Sequence, residues 1–236
     1  MLILASNSPR RKQLLSLGGW DFQVIPAEID ETPLPGENPR EYVLRLAREK
    51  ARQVALRIAE SDSLVSLDDT TSLVIAADTT VALEGNILGK PADAGEAAAM
   101  LWQLRGRTHQ VYTALAILRL RDSALLSQVC TTDVPMRPYN QEEMLAYIAT
   151  GDPFDKAGAY AIQHADFHPV EELQGCYTNV MGLPMCLLAR QLRDFGLDAK
   201  NDIPRAMEQE LGYTCPIFTR VLEGAPCGDY SILSQR

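Results

Sequence analysis

The run from Leu73 to Ala77 carries no polar side chain and stops at Asp78. A strand that is apolar at every position is a buried one, and it must be covered by the helical patterns that lie on either side of it in the chain. Leu2 to Ala5 reads as a short strand, Ser6-Asn7-Ser8-Pro9 as a loop, and the pattern through Leu14, Leu15 and Leu17 to Gly18-Gly19 as a helix. Phe22 to Ile25 predicts a second strand, and Thr32 to Pro39 a proline-rich loop. Asn38-Pro39-Arg40-Glu41 supplies an N-cap, an N1 proline and an N3 glutamate for a helix to about Ile58. The polar stretch Ser61 to Ser72 reads as a surface connection. Val81 to Leu83 and Ile87 to Leu88 predict a hairpin around Glu84-Gly85-Asn86, and Asp93 caps a helix to about Leu104. Antiparallel strands follow over Val111 to Leu118 and Leu125 to Val134. Asn140 with Glu143 opens a short helix ending near Gly151. Ala159 to Ile162 and Val170 to Leu173 predict two more strands, and Leu183 to Phe195 a closing helix. The whole is a mixed α/β chain.

A formal charge of −9 over 236 residues leaves no basic field for nucleic acid or an anionic membrane. A small anionic substrate would have to be met locally, by clustered Arg and Lys or by a metal. No apolar run reaches the roughly eighteen residues of a membrane span, and the N-terminus lacks the basic n-region of a secretory signal, so a cytoplasmic protein is expected. The five cysteines, Cys130, Cys176, Cys186, Cys215 and Cys227, show no zinc-type spacing. Reduced thiols are expected, with a Cys215–Cys227 bridge left open. Beyond Asp198, prolines, glycines and two cysteines predict a loosely structured extension.

Several residues are placed for chemistry. Ser8 at an N-cap and Pro9 at N1 leave backbone N–H groups and a helix dipole beside Ser6, Arg10 and Arg11, a setting for phosphate; the same pattern also suits an ordinary capped helix with solvated arginines. Lys50 falls in the apolar stripe of Val43, Leu46, Ala47 and Val54, so it either snorkels at an edge or points into a cleft. Asp78, at the expected strand end, either faces a ligand crevice or caps the next turn. Glu31 offers a second carboxylate, and Lys90-Pro91 another cation. Hard oxygens beside lysines and arginines are what Mg²⁺-assisted attack on a phosphate requires. In Asp155-Lys156-Ala157-Gly158-Ala159-Tyr160, small residues permit close approach of backbone to a ligand or fit a tight turn. Gln163 suits a base edge, or is an ordinary surface glutamine. The histidines, with His109 read in a turn, show no metal spacing.

In order, Ser6-Asn7-Ser8-Pro9-Arg10-Arg11, Arg48-Glu49-Lys50-Ala51, Ala77-Asp78-Thr79, Gly89-Lys90-Pro91, Gly106-Arg107-Thr108-His109, Asp155 to Tyr160 and Asn179-Val180-Met181-Gly182-Leu183-Pro184 resemble the Maf family of nucleotide pyrophosphatases. The resemblance covers residues 1–197 and leaves 198–236 as an extension. It implies a strongly bent mixed β-sheet with flanking helices and two lobes around a central cleft, similar to the inosine-triphosphate pyrophosphatases, and a homodimer. It also implies that Ser6, Ser8, Arg10 and Arg11 bind substrate, that Lys50 and Lys90 face it with Asp78 as catalytic groups, and that Asp78 and Glu31 hold Mg²⁺ or Mn²⁺. Arg10-Arg11 directly after Pro9, with Ala161-Ile162-Gln163, looks like the branch acting on dTTP and UTP, although His164 stands where the family usually has glycine. Competing functions are a nucleotide-binding regulator of cell division without turnover, and a pyrophosphatase for non-standard purine nucleotides or 7-methyl-GTP.

Overall fold

The computed structural model describes residues 1–60, 72–173 and 175–228, so all but Ser72 of the connection expected over 61–72 lies outside the described residues. Six strands form one mixed sheet: β1 (Leu2–Leu4), β2 (Phe22–Val24), β3 (Leu73–Leu83), β4 (Asn86–Leu88), β5 (Thr108–Arg119) and β6 (Leu125–Pro135). Their order is β2-β1-β3-β5-β6, with β4 paired to β3. β1 runs parallel to β2 and β3, and the β3–β4, β3–β5 and β5–β6 pairs are antiparallel.

Local chemistry sets the helix starts. Helix α1 (Pro9–Ser16) begins with Ser8 accepting from the Arg11 N–H and proline in its first turn. α2 (Pro39–Ala59) and α4 (Gln141–Ala149) each open with a full capping box, Asn38 with Glu41 and Asn140 with Glu143, and Asp93 caps α3 (Ala94–Leu104). On α2, the buried stripe Val43, Leu46, Ala47, Lys50, Val54 and Ile58 recurs at helical spacing and lies on the sheet face made by Ile3, Val74, Ala76, Ala114 and Ala116. The opposite face, with Leu4, Leu73, Ile75, Ala77 and Ile117, packs on α6 (Met185–Asp194). The first half of β3 is therefore covered on both sides, which is why its sequence tolerates no polar residue.

Asp78 is not at the end of its strand. β3 continues through Thr79, Thr80 and Val81 because its ladder with β5 continues, with Asp78 opposite Ala114. The strand that stops is β1, whose last pair is Leu4 with Ile75. Val81 and Leu83 then enter a second core with Leu101 and Leu104 of α3 and Tyr147 of α4. The expected hairpin forms at Glu84 and Gly85, both with positive φ (51° and 82°).

The strands expected over Ala159 to Ile162 and Val170 to Leu173 are absent: 157–159 is a 3-10 turn, and Val170 makes only an isolated bridge with Met136. Gly158 has φ 70°, and a Cβ there would lie 2.9 Å from Val81 Cγ1, so the small residues serve a tight turn pressed on β3. His109, expected in a turn, is buried in β5 with its Nε2 2.8 Å from the Tyr160 hydroxyl, and burial pushes its pKa down to about 4. The closing helix starts at Met185, after a short α5 (Tyr177–Val180).

The tail is not loosely structured. It forms α7 (Ile203–Leu211) and α8 (Phe218–Leu222), and Ile203, Met207, Ile217, Phe218 and Val221 are buried in the core that α6 shares with the sheet. Pro204 and Gly212, which look like breakers, are a first-turn proline and a left-handed C-cap. Arg190 of α6 donates to the Val221 and Ala225 carbonyls, both at 2.9 Å. Nor are all thiols reduced, or the tail bridged within itself: Cys227 is bonded to Cys130 of β6. Each buried tail side chain contributes about 1.5–3 kcal/mol, which together rivals the roughly 5–15 kcal/mol stability of a whole domain. Truncation after Lys200 is therefore expected to yield aggregated protein, or a soluble one with Tm lowered by well over about 5 °C; a thermal melt matching the full chain would show that these contacts contribute little.

Candidate active site

A cleft of about 520 Å³ opens beyond the carboxyl end of β1, where β3 passes from one core to the next. Lys50 reaches it from the buried stripe of α2. Its Nζ lies 2.6 Å from Asp78 Oδ1 and 2.6 Å from Glu31 Oε1. The Lys50 and Asp78 side chains are only 9% and 8% exposed, so Lys50 is aimed inward and does not snorkel. Glu31, 49% exposed, lies on the outer side of the ammonium.

Glu31 belongs to a segment without regular secondary structure, and α2 holds it in place. Tyr42 donates to the Glu31 carbonyl at 2.9 Å, Arg45 to the Thr32 carbonyl at 3.1 Å, Gln53 to the Glu28 carbonyl at 2.5 Å and Arg57 to the Pro26 carbonyl at 2.7 Å. One helix therefore supplies the central cation and fixes the carboxylate above it. Burial pushes the Asp78 carboxyl above its ordinary value, against the pull of Lys50 and Arg11. Partial burial also pushes Glu31 up, but there Lys50, helped by Lys90 and Arg11, outweighs it and leaves the carboxyl below its usual value.

The other wall is the loop into α1. Ser6 Oγ accepts from the Ser8 N–H at 3.2 Å and from Arg11 Nη1 at 3.3 Å. Arg11 also donates to the Gly182 carbonyl (2.9 Å) and to Thr79 Oγ1 (3.2 Å). Thr79 meets Thr113 at 3.0 Å, and Thr113 donates to the Asn179 carbonyl at 2.8 Å. Arg11 is thus a fixed part of the wall, contributing its charge from a set position. Gly182, with φ 102°, leaves room for it: a Cβ would lie 3.2 Å from Thr79 Oγ1 and 3.5 Å from Arg11 Nε. Half-buried Arg10 and Ser8, exposed Lys90 and exposed Gln163 complete the lining. Gln163 sits in a turn, not at a strand end.

Ser6, Ser8, Arg10, Arg11, Glu31, Lys50, Asp78, Lys90 and Gln163 all line this one cleft. Lys156 lines it as well, but its ammonium is held by Asp152 (2.8 Å) and Asp155 (2.6 Å). Tyr42 carries no signal in the sequence, and Thr79 and Gly182 stand there only inside family motifs, because the contacts they make with Arg11 span 68 and 171 positions. The donors suit a hard divalent ion: two carboxylates converge on one cationic point, and Mg²⁺ typically takes one or two carboxylates, leaving its other positions to water and phosphate oxygens.

The fold and cleft define an α/β protein with a cationic cleft in which two carboxylates share one ammonium. The family model described as "Maf-like protein" matches residues 1–195. Proteins named dTTP/UTP pyrophosphatase are similar over most of the chain: that of Citrifermentans bemidjiense is 45% identical over 195 residues, covering 83% of this chain and 95% of the relative. Those of Geobacter sulfurreducens (42%; 83% and 96%) and Anaeromyxobacter dehalogenans (46%; 83% and 94%) are comparable. The chain belongs to the Maf family.

Removing one member of a buried ion pair leaves an uncompensated charge, at a cost of about 3–5 kcal/mol. Lys50→Met is expected to lose stability on that scale in urea titrations at neutral pH. The deficit should narrow in acid, where protonation of Asp78 removes the orphaned charge. A variant as stable as wild type at pH 7 would show that Asp78 does not depend on Lys50.

Proposed function

We propose that this protein hydrolyses nucleoside triphosphates, dTTP and UTP foremost, to the monophosphate and pyrophosphate, as a cytoplasmic homodimer. The observation that carries this reading is the pairing of Asp78 and Glu31 on Lys50 inside a cleft also lined by Arg10, Arg11 and Lys90. A protein that only bound nucleotide, such as a regulator of cell division, would need the cations but not a buried carboxylate beside them. The names of the relatives support the choice of dTTP and UTP over non-standard purine nucleotides.

In the mechanism, water attacks the α-phosphorus and the bond to the bridging oxygen breaks, so pyrophosphate leaves with the negative charge. Asp78 accepts the proton of the attacking water, a role suited to a carboxylate with a raised pKa. Glu31 and Asp78 would hold Mg²⁺ or Mn²⁺, which when bound polarises the phosphate and neutralises its charge. Lys50, Arg10, Arg11 and Lys90 stabilise the charge that develops on the leaving group. Ser6, Ser8 and the α1 N-terminus orient the phosphates. Gln163 at the rim presents an amide that matches an acceptor and a donor on thymine or uracil. The catalytic body is residues 1–197, with 198–236 as its extension.

Asp78→Asn is expected to lower kcat by about 10²–10⁴ when measured on variant protein shown to be folded by circular dichroism. In ¹⁸O-labelled water the label should enter the monophosphate, and EDTA should abolish turnover; orthophosphate and a diphosphate as primary products would contradict attack at the α-phosphorus. On a triphosphate panel, Gln163→Ala should lower kcat/KM for dTTP and UTP by roughly tenfold or more, with less effect on purines. An equal loss on every substrate would take Gln163 away from the base.

A further inference from the structure

Successive residues of a strand point to opposite faces of a sheet. Asp78 meets Lys50 of α2 on one face, and Thr79 turns to the other, toward α5. Opposite Thr79 in the ladder stands Thr113 of β5. Thr113 is fully buried, on a strand that continues through the buried apolar residues Ala114, Leu115, Ala116 and Ile117. A hydroxyl in such a place is costly unless it is hydrogen-bonded, and its bonds lead to the cleft.

Each threonine hydroxyl carries one proton. Thr113 gives its proton to the Asn179 carbonyl at 2.8 Å, an atom that can only accept. The same carbonyl takes the Gly182 N–H at 3.0 Å, which fills both of its lone pairs. In the 3.0 Å contact between the two hydroxyls, Thr79 is therefore the donor. With its proton committed, Thr79 Oγ1 offers Arg11 Nη2 only a lone pair, at 3.2 Å. The hydrogen bonds thus run in one sense, from Arg11 through Thr79 and Thr113 to Asn179. Asn179 is anchored in turn, because its Nδ2 donates to the Val111 carbonyl (3.0 Å) and to Thr132 Oγ1 (2.9 Å), tying α5 to β5 and β6. Arg11 Nε donates directly to Gly182 of the same segment, so the guanidinium is aimed from two sides.

We propose that Thr113 is a positioning residue for the release of pyrophosphate: by taking the Thr79 proton it keeps Thr79 an acceptor and holds Arg11 aimed at the phosphates. This rests on the reading of Arg11 as a cation that stabilises the leaving group. Once the Thr113 hydroxyl is removed, the Thr79 O–H is free to swing toward the cleft, and Arg11 loses the lone pair held in line with it. Small displacements of a charged group are enough to slow a reaction that depends on its aim. The change leaves no buried carbonyl orphaned, since Gly182 still donates to Asn179.

The test measures kcat and KM for dTTP in the full chain. Thr113→Val keeps the shape of the side chain and loses the hydroxyl; Thr113→Ser keeps the hydroxyl and loses the methyl. Thr113→Val should lower kcat by about tenfold with KM changed by less than about threefold. Thr113→Ser should hold kcat within about threefold of wild type. A residue needed only for packing would give the opposite order, because valine keeps the buried methyl that serine lacks. Added to Thr79→Val, Thr113→Val should slow the enzyme no further, since the proton it would have taken is already gone. Folding of each variant is checked by circular dichroism; should Thr113→Val not fold, Thr113→Cys, with only a weak S–H donor, takes its place with the same expected loss. Folded Thr113→Val as fast as wild type, Thr113→Ser no faster than Thr113→Val, or losses that multiply in the double variant would each overturn the proposal. Arg11→Ala separates it from the reading beneath it. If Arg11→Ala is slower by roughly 10²-fold while Thr113→Val matches wild type, the role of Thr113 alone fails. Arg11→Ala as fast as wild type would take Arg11 away from the phosphates, and the proposal with it.

Discussion

The Lys50 ammonium holds the cleft together. Two carboxylates from unrelated parts of the chain meet on it, and each would be costly to place there alone: Asp78 is buried, and Glu31 lies on a segment with no ladder of its own. The geometry is affordable because α2 is fixed first, by an apolar stripe laid on the sheet. Its polar flank then ties down the segment that carries Glu31. A buried ion pair of this kind adds little net stability, since desolvation offsets most of the attraction. What it does is hold hard oxygens and a cation in register at the mouth of a cleft.

Much of this was legible in the sequence, for identifiable reasons. Capping residues act locally, so Ser8, Asn38, Asp93 and Asn140 marked their helices without knowledge of the fold. Lys50 stood out because a charge on an apolar helical stripe is anomalous at short range. Asp78 was found but misplaced: hydrophobicity ends at Ala77, whereas the backbone ladder that defines the strand does not. Glu31 gave no periodic signal of its own, because its position comes from Tyr42, Arg45 and their neighbours on α2. The Arg11–Thr79–Gly182 contact joins residues far apart in the chain, and nothing local announces it.

The tail departs from its composition for the opposite reason. Proline, glycine and cysteine counts suggest irregular chain, but composition ignores position. Pro204 in a first turn and Gly212 at a left-handed cap start and stop a helix, and Arg190 and Arg193 of α6 reach across to the last carbonyls of α8. Between these polar contacts lies an apolar face continuous with the core behind β1 and β3. The extension therefore braces the sheet face opposite α2, the helix on which the cleft depends.

The central claim is that Asp78 and Glu31 act as one unit around Lys50. A double-mutant cycle in turnover tests it directly, comparing Asp78→Asn, Glu31→Gln and the combined variant under saturating Mg²⁺. Groups that act as a unit are strongly non-additive. The account predicts that the double variant is hardly slower than Asp78→Asn alone. Losses that multiply, with the double variant slower by the product of the two single effects, would mean that the carboxylates work independently and would contradict it.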